Sequence, residues 1–535
     1  MLRSLGLFTL IASAIALAWY GLGRPVAIPP SPLGPEDKLT CISYAPFHGD
    51  QAPFTVGLRI SDAQIAEDLR RLSALTACVR TYSAKGAQGR ITRVAEAQGL
   101  TVLQGIWLGR NRADNRREIE AALQLARRHP GTVKALIVGN ETLLRGELAP
   151  ATVGTYLEEV KRRSGLPVTY ADVWEFWLKS PELASAADFI TIHILPYWED
   201  DPVSAEDAVA HVREVRDRVQ ATFPGKEIWI GEVGWPSAGR MRAGALPSPA
   251  NQARVLSDVV AAAKQDGWKV NLIEAFDQPW KRLLEGTAGG YWGVYGDQRP
   301  EPKFQFGQSI SNHPDWRLKA GLGIGAALLV FVAFWLGCRD APPRARSWQL
   351  DAAASIIALG VGLVFGLAVA NLPMEGEGAS DRVRSVAMLV LALVVPAASA
   401  YALGRGDRLT GLAKALDPAR WRRQDLVEIV LAALLAATLV AAMHVALGLV
   451  FDPRYKDFPF AALAGPVIAF AVLGLATTRA PIKPGAAEVA AALVLTASAL
   501  FVVANEGSAN WQALVLAGLL VLLALTALQA KAAPG

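Results

Sequence analysis

Two glutamates in this sequence each follow a short apolar stretch and stand at a glycine-containing corner. Glu141 closes the segment VKALIVGNE (133–141), and Glu232 stands in EIWIGEVGW (227–235), just before a Trp-Pro break. Short β-branched runs bounded by such turn residues are typical of buried strands. Two carboxyl groups held together can divide catalysis, one as proton donor and the other as nucleophile. The two corners therefore predict a functional pair, provided that the fold places them face to face.

The elements around these corners repeat along the chain. Eight continuous apolar runs are separated by helical patterns such as SDAQIAEDLRRLSAL (61–75), where Ser61 is the expected N-cap. Runs that do not alternate with polar residues indicate parallel strands buried on both faces. Eight strand–helix units over about 280 residues predict an α/β fold, the (β/α)8 TIM barrel. We expect its strands in the runs 39–47, 77–83, 101–109, 133–141, 167–174, 189–198, 227–235 and 271–280.

The barrel gives both corners a location, because the C-terminal ends of its strands form the mouth where chemistry takes place. Strands four and seven face each other across the mouth, so Glu141 and Glu232 can flank one bond. The other strand ends carry aromatic, acidic and amide side chains, which stack on sugar rings and bind sugar hydroxyls. We therefore predict a carbohydrate site whose substrate-binding residues are Tyr44, Arg80, Tyr82, Asn140, Asp172, Trp174, His193, Tyr197, Trp198, Trp235, Glu274, Asp277, Trp280 and Lys281.

Several of these residues also have a simple structural explanation. Asn140 can be a turn former, and Glu274 can be an ion-pair partner of Arg80 or Lys281. His193 is expected to be a hydrogen-bonded residue of the mouth rather than a catalyst. The aromatic residues that can pack in the core instead of lining the site are Trp174, Trp198 and Trp280.

Three motifs make the barrel similar to a known family. VGNE on the fourth strand, GEVGWPS on the seventh and EAFDQPWK on the eighth resemble glycoside hydrolase family 17, over about residues 38–305. This family contains β-1,3-glucanases and β-1,3-glucanosyltransferases, and plant members usually carry serine where this chain has Gly231. The resemblance, which points to a bacterial membrane-anchored type, implies a β-glucan substrate and no cofactor. It also implies that Glu141 is the acid/base, that Glu232 is the nucleophile and that anomeric configuration is retained.

Composition divides the chain into a soluble half and an apolar half. Hydrophobic residues make up 52% of the sequence, and long Ala/Leu/Val runs begin at Leu318. The uncharged stretch 4–23 predicts a signal anchor in preference to a cleaved signal peptide. Seven further spans are expected near 318–337, 352–372, 384–404, 426–450, 459–477, 485–504 and 509–529. We predict three parts, namely an N-terminal transmembrane helix in 1–27, the barrel in 28–312 and an all-α transmembrane domain of about seven helices in 313–535.

The basic residues indicate the orientation of these spans. Most Lys and Arg of the helical half lie in the loops 338–348, 405–425 and 478–485, whereas the alternate loops are acidic or neutral. The positive-inside rule then places both termini in the cytoplasm and the barrel in the periplasm of a bacterial inner membrane. The formal charge of +5 is explained by this topology, and a nucleic-acid partner is not indicated.

Cysteine usage is sparse. The chain has three cysteines, and the absence of a CxxC or His-rich spacing gives no sign of a metal site. Cys41 and Cys78 stand at the starts of successive predicted strands, so they can form a bridge or remain two buried thiols. The second alternative is favoured from sequence alone.

These observations together predict a membrane-anchored enzyme that cleaves β-1,3-glucan or transfers the released segment through a covalent glucosyl-enzyme intermediate. The sequence does not distinguish hydrolysis from transfer, or endo from exo action. It also does not tell whether β-1,6 linkages are made. Two alternatives come from other classes. The barrel can be a non-catalytic glucan-binding sensor or scaffold, or the chain can be an accessory of a glucan synthesis and export complex, partnered by a membrane glucan synthase.

Overall fold

The structure, a computed structural model, describes residues 2–299, 301–341, 347–376, 378–412, 426–477 and 484–529. The chain forms two compact units, one of Val26–Ile310 and one of Met1–Pro25 together with Ser311–Gly535. The N-terminal helix therefore belongs to the same unit as the C-terminal helices. Each unit has its own apolar core.

The first unit is a closed barrel of eight parallel strands, paired in chain order with the last strand against the first. The predicted (β/α)8 fold is therefore confirmed. Nearly every strand residue is buried, because helices cover the outside and side chains fill the inside. The strands are β1 (Cys41–Ser43), β2 (Cys78–Arg80), β3 (Thr101–Ile106), β4 (Val133–Asn140), β5 (Val168–Val173), β6 (Ile190–His193), β7 (Ile228–Val233) and β8 (Lys269–Leu272).

Helices surround the barrel, and local signals fix where two of them begin. Ser61 caps α2 (Asp62–Ser73) as predicted, because its side chain accepts a hydrogen bond from the backbone N–H of Gln64 at 3.1 Å. Ser248 caps α8 (Pro249–Asp266) in the same way, and a proline follows it at the first helical position. The remaining helices are α3 (Ile91–Ala97), α4 (Arg112–Arg128), α5 (Pro150–Ser164), α6 (Trp174–Lys179), α7 (Ala208–Thr222) and α9 (Arg282–Gly289), while α1 (Leu2–Leu22) lies in the helical unit.

The eighth strand ends earlier than predicted. β8 stops at Leu272, although Ile273 N–H still donates to the Val233 carbonyl at 3.0 Å and Ala275 N–H to the Ser43 carbonyl at 2.9 Å. The same backbone also pairs with a later segment, since Glu274 N–H donates to the Trp292 carbonyl at 3.1 Å and Val294 N–H donates to the Glu274 carbonyl at 2.8 Å. The motif EAFDQPWK is therefore a loop and a short helical turn after β8, not a strand.

The barrel interior holds a disulfide between Cys41 and Cys78. β1 pairs with β2 so that Ile42 lies opposite Val79, which sets the two cysteines side by side with their Cα atoms 4.4 Å apart. The preference for two free thiols is therefore wrong. The register of β1 against β2 decides the pairing, and this register cannot be read from the sequence. The other buried residues of this cluster are Leu103, Ala135, Ile137, Ala171 and Phe189.

The second unit is helical. Among the described residues, eight helices are long and apolar enough to cross a membrane, which agrees with the predicted helical C-terminal region. Small residues let these helices approach closely: a Cβ atom on Gly323 would lie 2.0 Å from the carbonyl oxygen of Gly362. Most of the basic loop residues that predict orientation lie outside the described residues. The helices are α1, α10 (Trp316–Asp340), α11 (Trp348–Asn371), α12 (Ala379–Arg405), α13 (Leu426–Phe451), α14 (Phe460–Thr477), α15 (Ala486–Glu506) and α16 (Trp511–Gln529).

Candidate active site

Glu141 stands immediately after β4 in an unusual backbone conformation. Its φ is +52°, and the nearby Gly139 has φ +92°. Positive φ costs a residue with a side chain of the order of 1 kcal/mol, and such residues cluster at functional sites. Here the turn directs the partly exposed carboxyl of Glu141 towards His193, whose Nδ1 lies 2.8 Å from Glu141 Oε1.

Glu232 lies in β7 and is 5% exposed. The pairing of β7 shifts register on both sides, at Ile192/His193 in one neighbour and between Ile230 and Val233 against β8. A register shift of this kind re-aims a side chain. The carboxyl of Glu232 consequently meets two donors, Arg80 Nη1 at 2.5 Å and the hydroxyl of Tyr82 at 3.0 Å, both to Oε1.

The two carboxyl groups are close neighbours. One ligand atom from each of Glu141, His193 and Glu232 lies within 4.8 Å of the others. A separation of about 5 Å matches retaining glycoside cleavage, whereas inverting enzymes keep their carboxyl groups about 6.5–9.5 Å apart. Within the described ranges this trio is also the group whose geometry can hold a metal ion. The structure thus brings Glu141 and Glu232 together, as the sequence predicts.

Electrostatics favours an ionised Glu232. Burial alone raises the pKa of a carboxyl, but the charges of Arg80 and Lys281, together with that of His193 when its ring is protonated, outweigh burial, so the pKa of Glu232 lies below its ordinary value. The Tyr82 hydroxyl adds a hydrogen bond that lowers this pKa further. A carboxylate that stays ionised is what a nucleophile requires.

Arg80 links the two corners. Its guanidinium is 1% exposed and donates to Glu232, to the Gly231 carbonyl at 3.1 Å and to the side-chain oxygen of Asn140. Asn140 is thus held by Arg80 and by Arg145, which donates to its backbone oxygen. Five donors in a rigid fork suit Arg80 to this task of joining β2, β4 and β7.

Asp172 supports the loop that follows Glu141. Its carboxylate accepts hydrogen bonds from the hydroxyl of Tyr170, from Leu143 N–H at 3.2 Å and from Leu144 N–H at 3.4 Å. Burial raises the pKa of Asp172 to about 6, with the charge of Glu141 adding to the rise. The side chain is completely buried, so its contacts position the loop rather than reach solvent.

A third acidic group lies beside Glu232. Glu274 is 1% exposed and pairs with Lys281, whose Nζ donates to Oε1 at 2.8 Å, in agreement with one of the two expected partners. Burial raises the pKa of Glu274 to about 7 despite this partner. Glu285 on α9 was not predicted: burial also raises its pKa to about 7, and the charges of Glu274, Glu141 and Glu232 raise it further. Its position four residues after Lys281 in a helical turn was the available signal.

Asp277 is bound within the protein. It accepts from the Nζ of Lys303 at 2.8 Å and from Gly293 N–H at 2.9 Å, and burial raises its pKa. Lys303 was not singled out from the sequence, because it lies beyond the predicted strands. The pair fastens the 273–280 loop to the segment around Gly293.

Aromatic residues that follow β6 and α9 form a cluster, in which Tyr197 and Trp292 are buried and Trp198 is partly exposed. Trp198 stacks on Trp292 with ring centroids 6.5 Å apart and an interplanar angle of 15°, and the Arg242 guanidinium lies 5.4 Å from the Trp198 centroid. Tyr197 contacts both tryptophans edge-on. Trp292 was not named as a site residue from the sequence. The YWG triplet after α9 was the signal that could have found it. Trp235 is fully buried and donates to the Leu246 carbonyl at 3.1 Å.

Three other predicted residues are tied to local partners. Trp174 donates to Glu199 at 3.3 Å, and Trp280 donates to the side chain of Gln278 at 2.8 Å. Tyr44 is not brought to the carboxyl pair, because it is completely buried and its hydroxyl donates to Asp68 on α2 at 2.7 Å.

The space around residue 231 explains why glycine occupies this position. A Cβ atom at this position would lie 2.3 Å from Thr191 Cγ2 and 3.3 Å from the ring of His193. Serine at this position therefore requires the Thr191 side chain to move, so the glycine that precedes Glu232 is matched to the residues this chain carries on β6.

The barrel and its pair of carboxyl groups define a (β/α)8 glycoside hydrolase. Residues 41–293 match the family described as BtgE/BtgC glycoside hydrolase domain, and the resemblance of the barrel to glycoside hydrolase family 17 is thereby confirmed. The chain is 26% identical over 273 residues to a glucan 1,3-beta-glucosidase of Saccharomyces cerevisiae, covering 45% of this chain and 86% of that protein. It is 28% identical over 262 residues to a probable family 17 glucosidase of the same yeast, covering 47% of this chain and 64% of the relative. A crystal structure of a family 17 beta-1,3-glucanosyltransferase from Rhizomucor miehei aligns at 26% identity with a TM-score of 0.44, covering 50% of this chain and 97% of that one.

Proposed function

We propose that the chain is a retaining enzyme of β-1,3-glucan that forms a covalent glucosyl-enzyme intermediate. The observation that carries the proposal is the approach of Glu141 and Glu232 to within 4.8 Å, measured between carboxylate oxygens. At this range a carboxylate can attack the anomeric carbon while the other carboxyl reaches the leaving oxygen. An inverting mechanism instead uses carboxyl groups about 6.5–9.5 Å apart, which leaves space for a water molecule between the base carboxylate and the sugar.

The surroundings of the two groups assign their roles. Glu232 is buried, is ionised beside Arg80 and accepts from Tyr82, so it is the nucleophile. Glu141 is partly exposed at the end of β4, where it can meet both a leaving group and an incoming acceptor. In the first step Glu141 gives its proton to the leaving oxygen while Glu232 forms an ester with the sugar. In the second step Glu141 takes a proton from the acceptor hydroxyl or water, which displaces Glu232.

The substrate class rests on the relatives and on the aromatic cluster. The relatives named above include a glucan 1,3-beta-glucosidase, and in a retaining mechanism the same intermediate can pass to water or to a sugar acceptor. Trp198 follows β6 and is partly exposed, so its flat face can stack on a glucosyl ring, while the buried rings of Trp292 and Tyr197 pack against it. Hydrolysis and transfer are therefore both within this chemistry.

The location of the enzyme is part of the proposal. We place the barrel on the periplasmic side of a bacterial inner membrane, with the helical unit as its multispan anchor. Disulfides persist in oxidising compartments, and the bridge between Cys41 and Cys78 supports an export of the barrel from the cytoplasm. Basic residues in alternate loops support the same orientation. A membrane glucan synthase is the partner that would feed such an anchored enzyme.

Product analysis tests the function. Full-length protein in detergent is incubated with laminari-oligosaccharides, and products are followed by mass spectrometry and by the anomeric proton signal in NMR. We expect products of initially β configuration, shorter chains for hydrolysis and longer chains for transfer. Cello-oligosaccharides of the same length are the control and should remain intact. Equal turnover of both series contradicts the β-1,3 assignment, and no turnover of either favours a glucan-binding sensor.

A further inference from the structure

The ring of His193 lies between the two carboxyl groups. Nδ1 is 2.8 Å from Glu141 Oε1, whereas Nε2 is 3.8 Å from Glu232 Oε1. The side chain is completely buried, and Nε2 has no hydrogen-bond partner among the described residues. A histidine with one nitrogen bound and the other unpartnered in so charged a site calls for an explanation beyond packing.

The contacts select one tautomer of this imidazole. A proton on Nε2 needs an acceptor, but Glu232 Oε1 lies beyond hydrogen-bond distance and already accepts from Arg80 and Tyr82. A proton on Nδ1 has Glu141 Oε1 directly in reach. The neutral ring therefore carries its proton on Nδ1, and this N–H donates a hydrogen bond to Glu141.

We propose that His193 is a positioning residue for Glu141, holding Oε1 through the Nδ1–H donor and so leaving Oε2 to carry the transferable proton. This inference rests on the proposed function. When Oε2 carries a proton, Nδ1–H donates to the carbonyl oxygen of the carboxyl group. When that proton has passed to the leaving oxygen, Nδ1–H donates to a carboxylate, and the same contact becomes charge-assisted and stronger.

The location of Glu141 explains why such a holder is needed. Its backbone has φ +52° just after β4, and its carboxyl is partly exposed and hydrogen-bonded to His193. His193 in contrast is held rigidly by β6, with Thr191 on the same strand and the Cβ-less Gly231 against its ring. A donor on β6, two strands away from β4 in the barrel wall, keeps the partly exposed carboxyl in its reactive position.

A bond that strengthens as the proton leaves Glu141 stabilises the transition state more than the bound substrate, and only in reactions that need that proton. Removal of the Nδ1–H donor should therefore matter in proportion to the need for acid catalysis. Natural glycosidic bonds have poor leaving groups and require the proton, whereas a 2,4-dinitrophenolate leaves without it. A purely structural role predicts the same loss for both.

The experiment compares kcat/KM for laminari-oligosaccharides and for 2,4-dinitrophenyl β-laminaribioside, using full-length protein. His193→Leu removes the donor, His193→Asn restores an N–H near the position of Nδ1, and His129→Leu is the matched control. His129 also makes a 2.8 Å contact to a glutamate, Glu96, but on the outside of the barrel.

We expect His193→Leu to lower kcat/KM on the oligosaccharides about 10- to 100-fold, the effect of one hydrogen bond to a charged group. On the aryl substrate the loss should stay within roughly threefold, because no proton is transferred in the first step. His193→Asn should recover most of the oligosaccharide activity, and His129→Leu should change neither rate. An equal loss on both substrates, no loss on either, or failure of His193→Asn to recover activity while the aryl rate is retained overturns the inference. Wild-type protein that turns over neither substrate overturns the proposed function instead.

Discussion

Arg80 Nη1 donates to Glu232 Oε1 at 2.5 Å, inside a barrel where both side chains are almost completely buried. A buried ion pair needs further hydrogen bonds to offset desolvation, and here Nη1 and Nη2 also reach the Gly231 carbonyl and Asn140, while Nε has no partner among the described residues. Arg80 is thus one of the groups that lower the pKa of Glu232 and the residue that joins it to the corner of Glu141.

The first prediction concerns pH. The pKa of Glu232 is lowered in the folded protein, so Glu232 stays ionised as the pH falls below the usual range of a glutamate, and activity persists there. Arg80→Leu removes one of the charges that lower this pKa and leaves burial, which raises it, without that opposition. The acidic limb of the pH dependence of kcat/KM should then move to higher pH by about one unit or more.

Arg80→Lys is the control for this shift. It retains a positive charge but not the fork that reaches Asn140, so the acidic limb should move less than with leucine. Circular dichroism of both variants checks that the barrel is folded. An unmoved acidic limb in folded Arg80→Leu contradicts the role assigned to this guanidinium.

The second prediction concerns the disulfide of Cys41 and Cys78, which are 37 residues apart in sequence. Replacing both by alanine frees the unfolded chain from a closed loop, and the free energy of unfolding of the barrel should fall by about 2–4 kcal/mol. The measurement is the unfolding transition in denaturant, followed by tryptophan fluorescence. A reductant should bring the wild-type transition close to that of the variant and leave the variant unchanged. Cys338→Ala, which replaces the cysteine outside this disulfide, should behave like wild type.

The comparison of sequence and structure shows which information was present in the residue pattern. Apolar β-branched runs predicted all eight strands, because strands buried on both faces need no polar residue until they end. The ends then predicted Glu141 and Glu232 as neighbours, since a barrel brings the C-terminal ends of its strands to one mouth.

The same apolar pattern gave no information on strand register. Where both faces of a strand are apolar, the pattern does not tell which residues point inward, and a shift of one residue reverses every side chain. On β1 Ser43 faces the interior, where Asn271 donates to it at 2.8 Å, and Tyr44 consequently points outward to Asp68. The pairing of Cys41 with Cys78 depends on the register of β1 and β2 in the same way.

The third prediction concerns topology. Reporter fusions after residues 300, 378 and 506 should be active on the periplasmic side, and fusions after 345, 415 and 531 on the cytoplasmic side, because Lys and Arg concentrate in the latter set of loops. Paired alkaline phosphatase and fluorescent-protein fusions at each position measure this. A fluorescent fusion after residue 300 would show that the barrel lies in the cytoplasm. That result contradicts the proposed location, because the disulfide would then lack an oxidising compartment.

The last prediction separates the roles of the two glutamates by their failures. Glu232→Gln should abolish turnover of every substrate, because no covalent intermediate can form. Glu141→Gln should retain the first step on 2,4-dinitrophenyl β-laminaribioside, whose leaving group needs no proton, and should then stall, because no base activates the acceptor. Mass spectrometry of a protease digest should therefore find the sugar on Glu232 in this variant. Azide, an anion that needs no base, should release it as the β-glycosyl azide. An adduct on another residue, or an α-configured product from the wild-type enzyme, would show that the roles are wrongly assigned.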